Sequence, residues 1–128
     1  MNSLDANVIL RFLLNDLPAQ SEKAKSVITT SQCYVSDVIF TEVVFVLDKL
    51  SGLPRMEIAV LLKRLISLQT VLCNEALLDK AIDLYTSKLQ LSFPDCFISV
   101  EGLLSGDIVL SFDKDLVKHG GSHVREPQ

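Results

Sequence analysis

Apolar and polar positions change period repeatedly along the chain, with short apolar runs of strand length separating longer stretches of helical spacing. Residues 3–5 read as a very short strand, followed by a helix over 7–14. Pro18 opens a second helix running to residue 30, because a residue without an N–H is well placed in a first turn. Residues 33–35 form a second strand, and Ser36 or Asp37 can cap the helix over 38–50, which Gly52 stops in the left-handed conformation. Pro54 starts a helix through Ser67 with Ile58, Leu61, Leu62 and Leu65 on one face. Residues 70–73 are a third strand, and Asn74 caps a helix carrying Leu77, Leu78, Ala81, Ile82 and Tyr85. Ser92 caps the helix over 93–104, closed by Gly106. The apolar run 108–112 is the clearest strand and ends abruptly at Asp113. A short helical turn and an extended piece around Val124 finish the chain.

Strands alternating with helices predict an α/β fold, a three-layer α/β/α sandwich in which helices cover both faces of a central parallel sheet. A length of 128 residues predicts a single domain, residues 1–128, able to bury a core without disulfide or zinc support. Ligands of such folds gather outside the carboxyl ends of the strands. Two strands end in aspartate at that edge, Leu4-Asp5 and Phe112-Asp113.

Composition narrows the function classes. A hydrophobic share of 48% and a mean hydropathy of +0.35 predict helices buried on more than one side. The apolar runs 43–47 and 58–62 are far short of the roughly 20 residues a membrane span needs. The N-terminus lacks a basic region and Asp5 interrupts its first apolar stretch, so no signal peptide is expected. The net charge of −4 argues against gripping phosphate by side-chain charge alone. A nucleic-acid partner would need positive charge from elsewhere, and a divalent metal held by carboxylates is the obvious source. Cys33, Cys73 and Cys96 form no C-x-x-C pair and read as reduced core cysteines of a cytoplasmic protein.

The carboxylates at element ends carry the candidate chemistry. Asp5, Asp95, Asp113 and Asp115 each have a local explanation as a cap or turn residue, Asp95 through the S-x-x-D pattern with Ser92. Glu42 sits in a helix that is apolar nearly all round, which predicts few directions in which it can reach water. A buried carboxylate is costly unless paired, protonated or bound to metal. Taken together, carboxylates expected on one edge point to a hard divalent cation such as Mg²⁺ or Mn²⁺, which can activate water and stabilise a phosphoryl transition state. No P-loop, G-x-G-x-x-G or G-x-S-x-G motif occurs. His119 and His123 flank Gly120-Gly121 and read as surface loop residues rather than a helical zinc pair.

Four segments in order resemble those of PIN-domain ribonucleases, specifically the compact VapC-like toxins of toxin–antitoxin modules. They are Leu4-Asp5-Ala6-Asn7-Val8, Val35-Ser36-Asp37 through Glu42-Val43, Ser92-Phe93-Pro94-Asp95-Cys96, and Ser111-Phe112-Asp113-Lys114-Asp115-Leu116. The resemblance implies a parallel sheet of strand order 3-2-1-4-5. It implies Asp5, Glu42, Asp95 and Asp113 as the acidic catalytic set, with Asp5, Asp95 and Asp113 holding Mg²⁺ or Mn²⁺. Asn7 and Ser111 would be supporting polar residues and Asp115 an accessory carboxylate. Two departures stand out: Ala6 occupies a position where a hydroxyl is common, and Ser92 one where an acidic residue is often seen. The activity implied is metal-dependent endoribonucleolytic hydrolysis by the toxin of a type II pair. The implied partners are an RNA substrate, a cognate antitoxin and a second copy of the chain, with no membrane. The apolar helices 38–50 and 54–67 are the candidate protein-binding surfaces. Two other readings compete: a different phosphoryl-transfer enzyme of TOPRIM type, from the D-x-D at Asp113 and Asp115, and a non-catalytic interaction module with an empty acidic pocket. A glutamate on a strand-edge loop would favour the TOPRIM reading.

Overall fold

The computed structural model describes residues 1–128, which divide into two compact units, Met1–Glu75 and Ala76–Gln128. The first unit runs β1 (Asn2–Ser3), α1 (Ala6–Leu14), α2 (Pro18–Thr30), β2 (Cys33–Tyr34), α3 (Asp37–Phe45), a π turn (Val46–Leu50), α4 (Arg55–Ser67) and β3 (Val71–Leu72). The second holds α5 (Glu75–Ser87, its first residue the last of the first unit), α6 (Phe93–Ser105), β4 (Val109–Leu110), α7 (Lys114–His119) and β5 (Val124–Arg125). The α/β class with parallel strands is the one the pattern predicts. Within the first unit the strands lie in the order 3-2-1, and within the second β4 pairs with β5, every pair parallel.

In the first unit, β2 is the middle strand, with Asn2 opposite Cys33 and Cys33 opposite Val71. The ladder continues one step past each strand, because the Leu4 N–H donates to the Tyr34 carbonyl and the Val35 N–H to the Leu72 carbonyl. Ile9, Ile28, Phe40, Val43, Leu62 and Leu65 fill the core beneath it, all essentially without exposed surface. Thr70 Oγ1 donates to the Ile28 carbonyl at 2.6 Å, fastening the start of β3 to α2. Ser36 caps α3 by accepting from the Ile39 N–H, and Gly52 takes φ +65°.

The second unit is built around α6. Tyr85 of α5 meets Phe93 edge to face, with ring centroids 5.6 Å apart and planes at 81°. Gly102 of α6 lies so close to β4 that a Cβ there would overlap Val109 Cγ2, and Gly106 closes the helix at φ +74°. Ser99 Oγ donates to the Gly120 carbonyl, and His123 Nε2 lies 2.7 Å from the Ser99 carbonyl oxygen. His123 is thus held to α6 from the turn before β5, a half-buried loop residue, whereas His119 ends α7 and is not the loop residue expected from the flanking glycines.

Three other expectations are corrected. The helix expected to run unbroken over 38–50 widens into a π turn after Phe45, where the Ser51 N–H reaches the Val46 carbonyl five residues back. The run 108–112 contributes only Val109–Leu110 as strand: Val109 is buried while Ile108, Leu110 and Phe112 are exposed. The high hydropathy lies partly on the surface, not only inside: Val38, Phe45, Leu50, Met56 and Val60 are exposed large apolar side chains.

Candidate functional site

Parallel register positions the first pair of carboxylates. Since Ser3 lies opposite Tyr34, Asp5 and Ser36 leave neighbouring strands at the same carboxyl edge, where α1 and α3 begin. Asp5 is the N-cap of α1, and its Oδ1 accepts from the Ala6 N–H at 2.8 Å. The second oxygen makes no hydrogen bond. Glu42 lies in the second turn of α3, and α1 packs against α3. The expected shortage of routes to water is wrong: Glu42 is exposed, on a face shared with Val38 and Phe45. Its position inside a helix removes the observation that would have favoured the TOPRIM reading. Asn7 is exposed in the first turn of α1.

Chain reversal positions the second pair. Gly102 touches Val109 across the turn at Gly106, so α6 extends back roughly 10 Å by helix rise to Asp95. From Val109 the other arm continues to Ser111 and Asp113. Asp95 and Ser92 form a reciprocal capping box: Asp95 Oδ2 accepts from the Ser92 N–H and Ser92 Oγ from the Asp95 N–H, each at 3.3 Å. Asp113 caps α7, its Oδ1 accepting from the Leu116 N–H at 2.9 Å, and Ser111 Oγ accepts from the Asp113 N–H at 2.9 Å. Asp115 is exposed in the first turn of α7.

Each unit therefore supplies two of the four carboxylates. None of the four is in an ion pair. No group of three or more His, Cys, Asp or Glu side chains stands ready-made to hold a metal ion. The donor chemistry nevertheless fits a hard divalent cation, being anionic oxygen, exposed or half-exposed, and not neutralised by Lys or Arg. Mg²⁺ in particular keeps several waters and takes one or two carboxylates rather than an all-protein cage. Capping uses one oxygen of Asp5, Asp95 and Asp113 and orients the other.

The sequence pattern does not single out Arg11 or Lys23. With Asn7, Val8, Gln20, Ala24 and Val27 they line a cleft of about 500 Å³ between α1 and α2. Their signal is the helical spacing Asn7/Arg11 and Gln20/Lys23/Val27, which becomes legible only once the two helices are known to pack.

Residues 3–121 match the family model described as PIN domain. No curated protein and no solved structure gives a significant match.

Proposed function

Because the chain belongs to the PIN-domain family, we propose that it is a Mg²⁺- or Mn²⁺-dependent endoribonuclease, with Asp5, Glu42, Asp95 and Asp113 as its acidic set. PIN domains are in general nucleases that use divalent metals. The observation that carries the reading is the family match over 3–121, which includes all four carboxylates, each unneutralised by any cation. The match includes residues of both units, which supports their acting as one domain, residues 1–128.

Asp5, Asp95 and Asp113 would hold the metal, with Glu42 completing the set. A bound divalent ion supplies the positive charge that a phosphodiester's transition state needs, and activates water. The chain's own residues do the positioning. The helix caps fix the rotamers of the three aspartates, and Ser111 orients the Asp113 backbone. Asn7 and Asp115 add polar groups beside the capping residues.

The role would be that of the toxin of a type II pair, acting in the cytoplasm, with a cognate antitoxin and a second copy of the chain as partners. The exposed apolar residues of α3, the π turn and α4 support protein partners, since Val38 is 77% and Leu50 74% exposed. No helix is long and apolar enough to cross a membrane. The test is cleavage of structured RNA by purified protein with Mg²⁺, abolished by EDTA. Equal cleavage by an Asp5→Asn, Asp95→Asn double variant would reject this site as its source.

A further inference from the structure

The cleft between α1 and α2 belongs wholly to the first unit. Its apolar floor is Val8, Ala24 and Val27, and its rim is Asn7, Arg11, Gln20 and Lys23. That rim holds two cations and two amides and no carboxylate, in a chain whose net charge is −4. Lys23 has no hydrogen-bond or ion-pair partner. Arg11 Nε lies 3.0 Å from Asp16 Oδ1 without the alignment of a hydrogen bond. The terminal nitrogens of Arg11 make no hydrogen bond within the protein.

A volume of about 500 Å³ lies within the usual range of small-ligand sites. Arg pairs with phosphate in a fork and Lys binds it as a point charge. Amide side chains both donate and accept, as the edges of an unpaired base require, and the apolar floor suits a base face. Along the axis of α1, Arg11 lies six residues from Asp5, roughly 9 Å by helix rise.

We propose that this cleft is a subsite for one nucleotide of single-stranded RNA flanking the cleaved bond, with Arg11 and Lys23 on its phosphate and Asn7 and Gln20 on its base. The proposal rests on the nuclease reading for the identity of the strand. Its test separates the two, because it reads binding in EDTA, where cleavage is silent.

Fluorescence anisotropy of a labelled single-stranded RNA oligomer is measured against KCl concentration for the full chain and for an Arg11→Gln, Lys23→Gln variant. Each phosphate contact in a single strand contributes about 0.7 to the slope of log K against log salt. The double variant, which frees the one phosphate held in the cleft, should therefore show a slope shallower by about 0.7 and bind roughly tenfold more weakly at low salt. Lys23→Gln alone, which removes no contact within the protein and leaves Arg11 on the phosphate, should lower the slope by less than the double variant does and leave the melting temperature unchanged. Unchanged slopes in folded variants overturn the subsite, as does displacement of the RNA from this cleft by polyglutamate at equal charge concentration, which would mark an acidic-peptide surface instead. Slopes that shift as expected in a protein that does not cut RNA with Mg²⁺ would keep the subsite and reject the nuclease.

Discussion

In the first unit Asp5 follows β1 and caps α1; in the second Asp113 follows β4 and caps α7. The remaining pair differs. Asp95 is locked in a reciprocal capping box with Ser92, whereas Glu42 extends from the exposed face of α3 without a partner. The surroundings differ as well. A three-stranded ladder frames the first pair, and a two-stranded ladder with glycines at its closest approaches frames the second. Three carboxylates thus have their rotamers set by the folding of a helix end, and one is free to adjust.

The sharpest way to break this comparison exploits the fact that asparagine caps a helix as well as aspartate. Asp5→Asn and Asp113→Asn should each lower Mg²⁺-dependent RNA cleavage by more than about 100-fold, beyond the loss typical of a partner outside the metal's ligands, while melting temperature stays the same. Cleavage as well as melting temperature unchanged in both variants would mean that the carboxylates serve only as caps. Next in size is Gly102→Ala. Overpacking against Val109 typically costs about 1–3 kcal/mol, partly offset by the better helix propensity of alanine, so denaturant titration should show a loss of about 1–2 kcal/mol.

Asp95→Ala and Glu42→Ala separate the locked carboxylate from the free one. Removing the capping box should cost about 1 kcal/mol and removing Glu42 almost nothing, with both variants losing cleavage. The smallest effect concerns Cys73 in the first unit. Burial raises its thiol pKa from 9.0 to about 11, with Glu75 and Asp37 adding to the shift. The unfolded chain therefore releases this proton first, so stability is intact below pH 9 and declines as pH rises toward 11. Cys73→Ser should flatten that alkaline decline in pH-dependent melting, and a decline unchanged by the substitution would assign it elsewhere.

Much of the fold is legible in the chain because its punctuation is local. Pro18, Ser36, the Ser92/Asp95 pair, Gly52 and Gly106 mark helix ends by their own backbone and side-chain preferences. The extent of β4 is not legible: residues 108–112 are all apolar except Ser111, so the run contains little to show that only Val109 faces inward. The exposure of Glu42 is hidden for the same reason, since the α3 surface is itself apolar at Val38 and Phe45. The carboxylates could be picked out one by one from caps and strand ends. The basic rim of the α1–α2 cleft could not, because it exists only where two helices meet.

The wide turn at Val46–Leu50 has a consequence for the outer side of α3. At 100° per residue, an unbroken α-helix would place Leu50 about 120° around the axis from Val38. The Ser51-to-Val46 bond spans five residues, and this wider turn brings the exposed Leu50 back toward the side of Val38, Glu42 and Phe45. Straightening this turn into regular α winding at unchanged helix length would swing Leu50 away, splitting the oily seam that runs beside the glutamate.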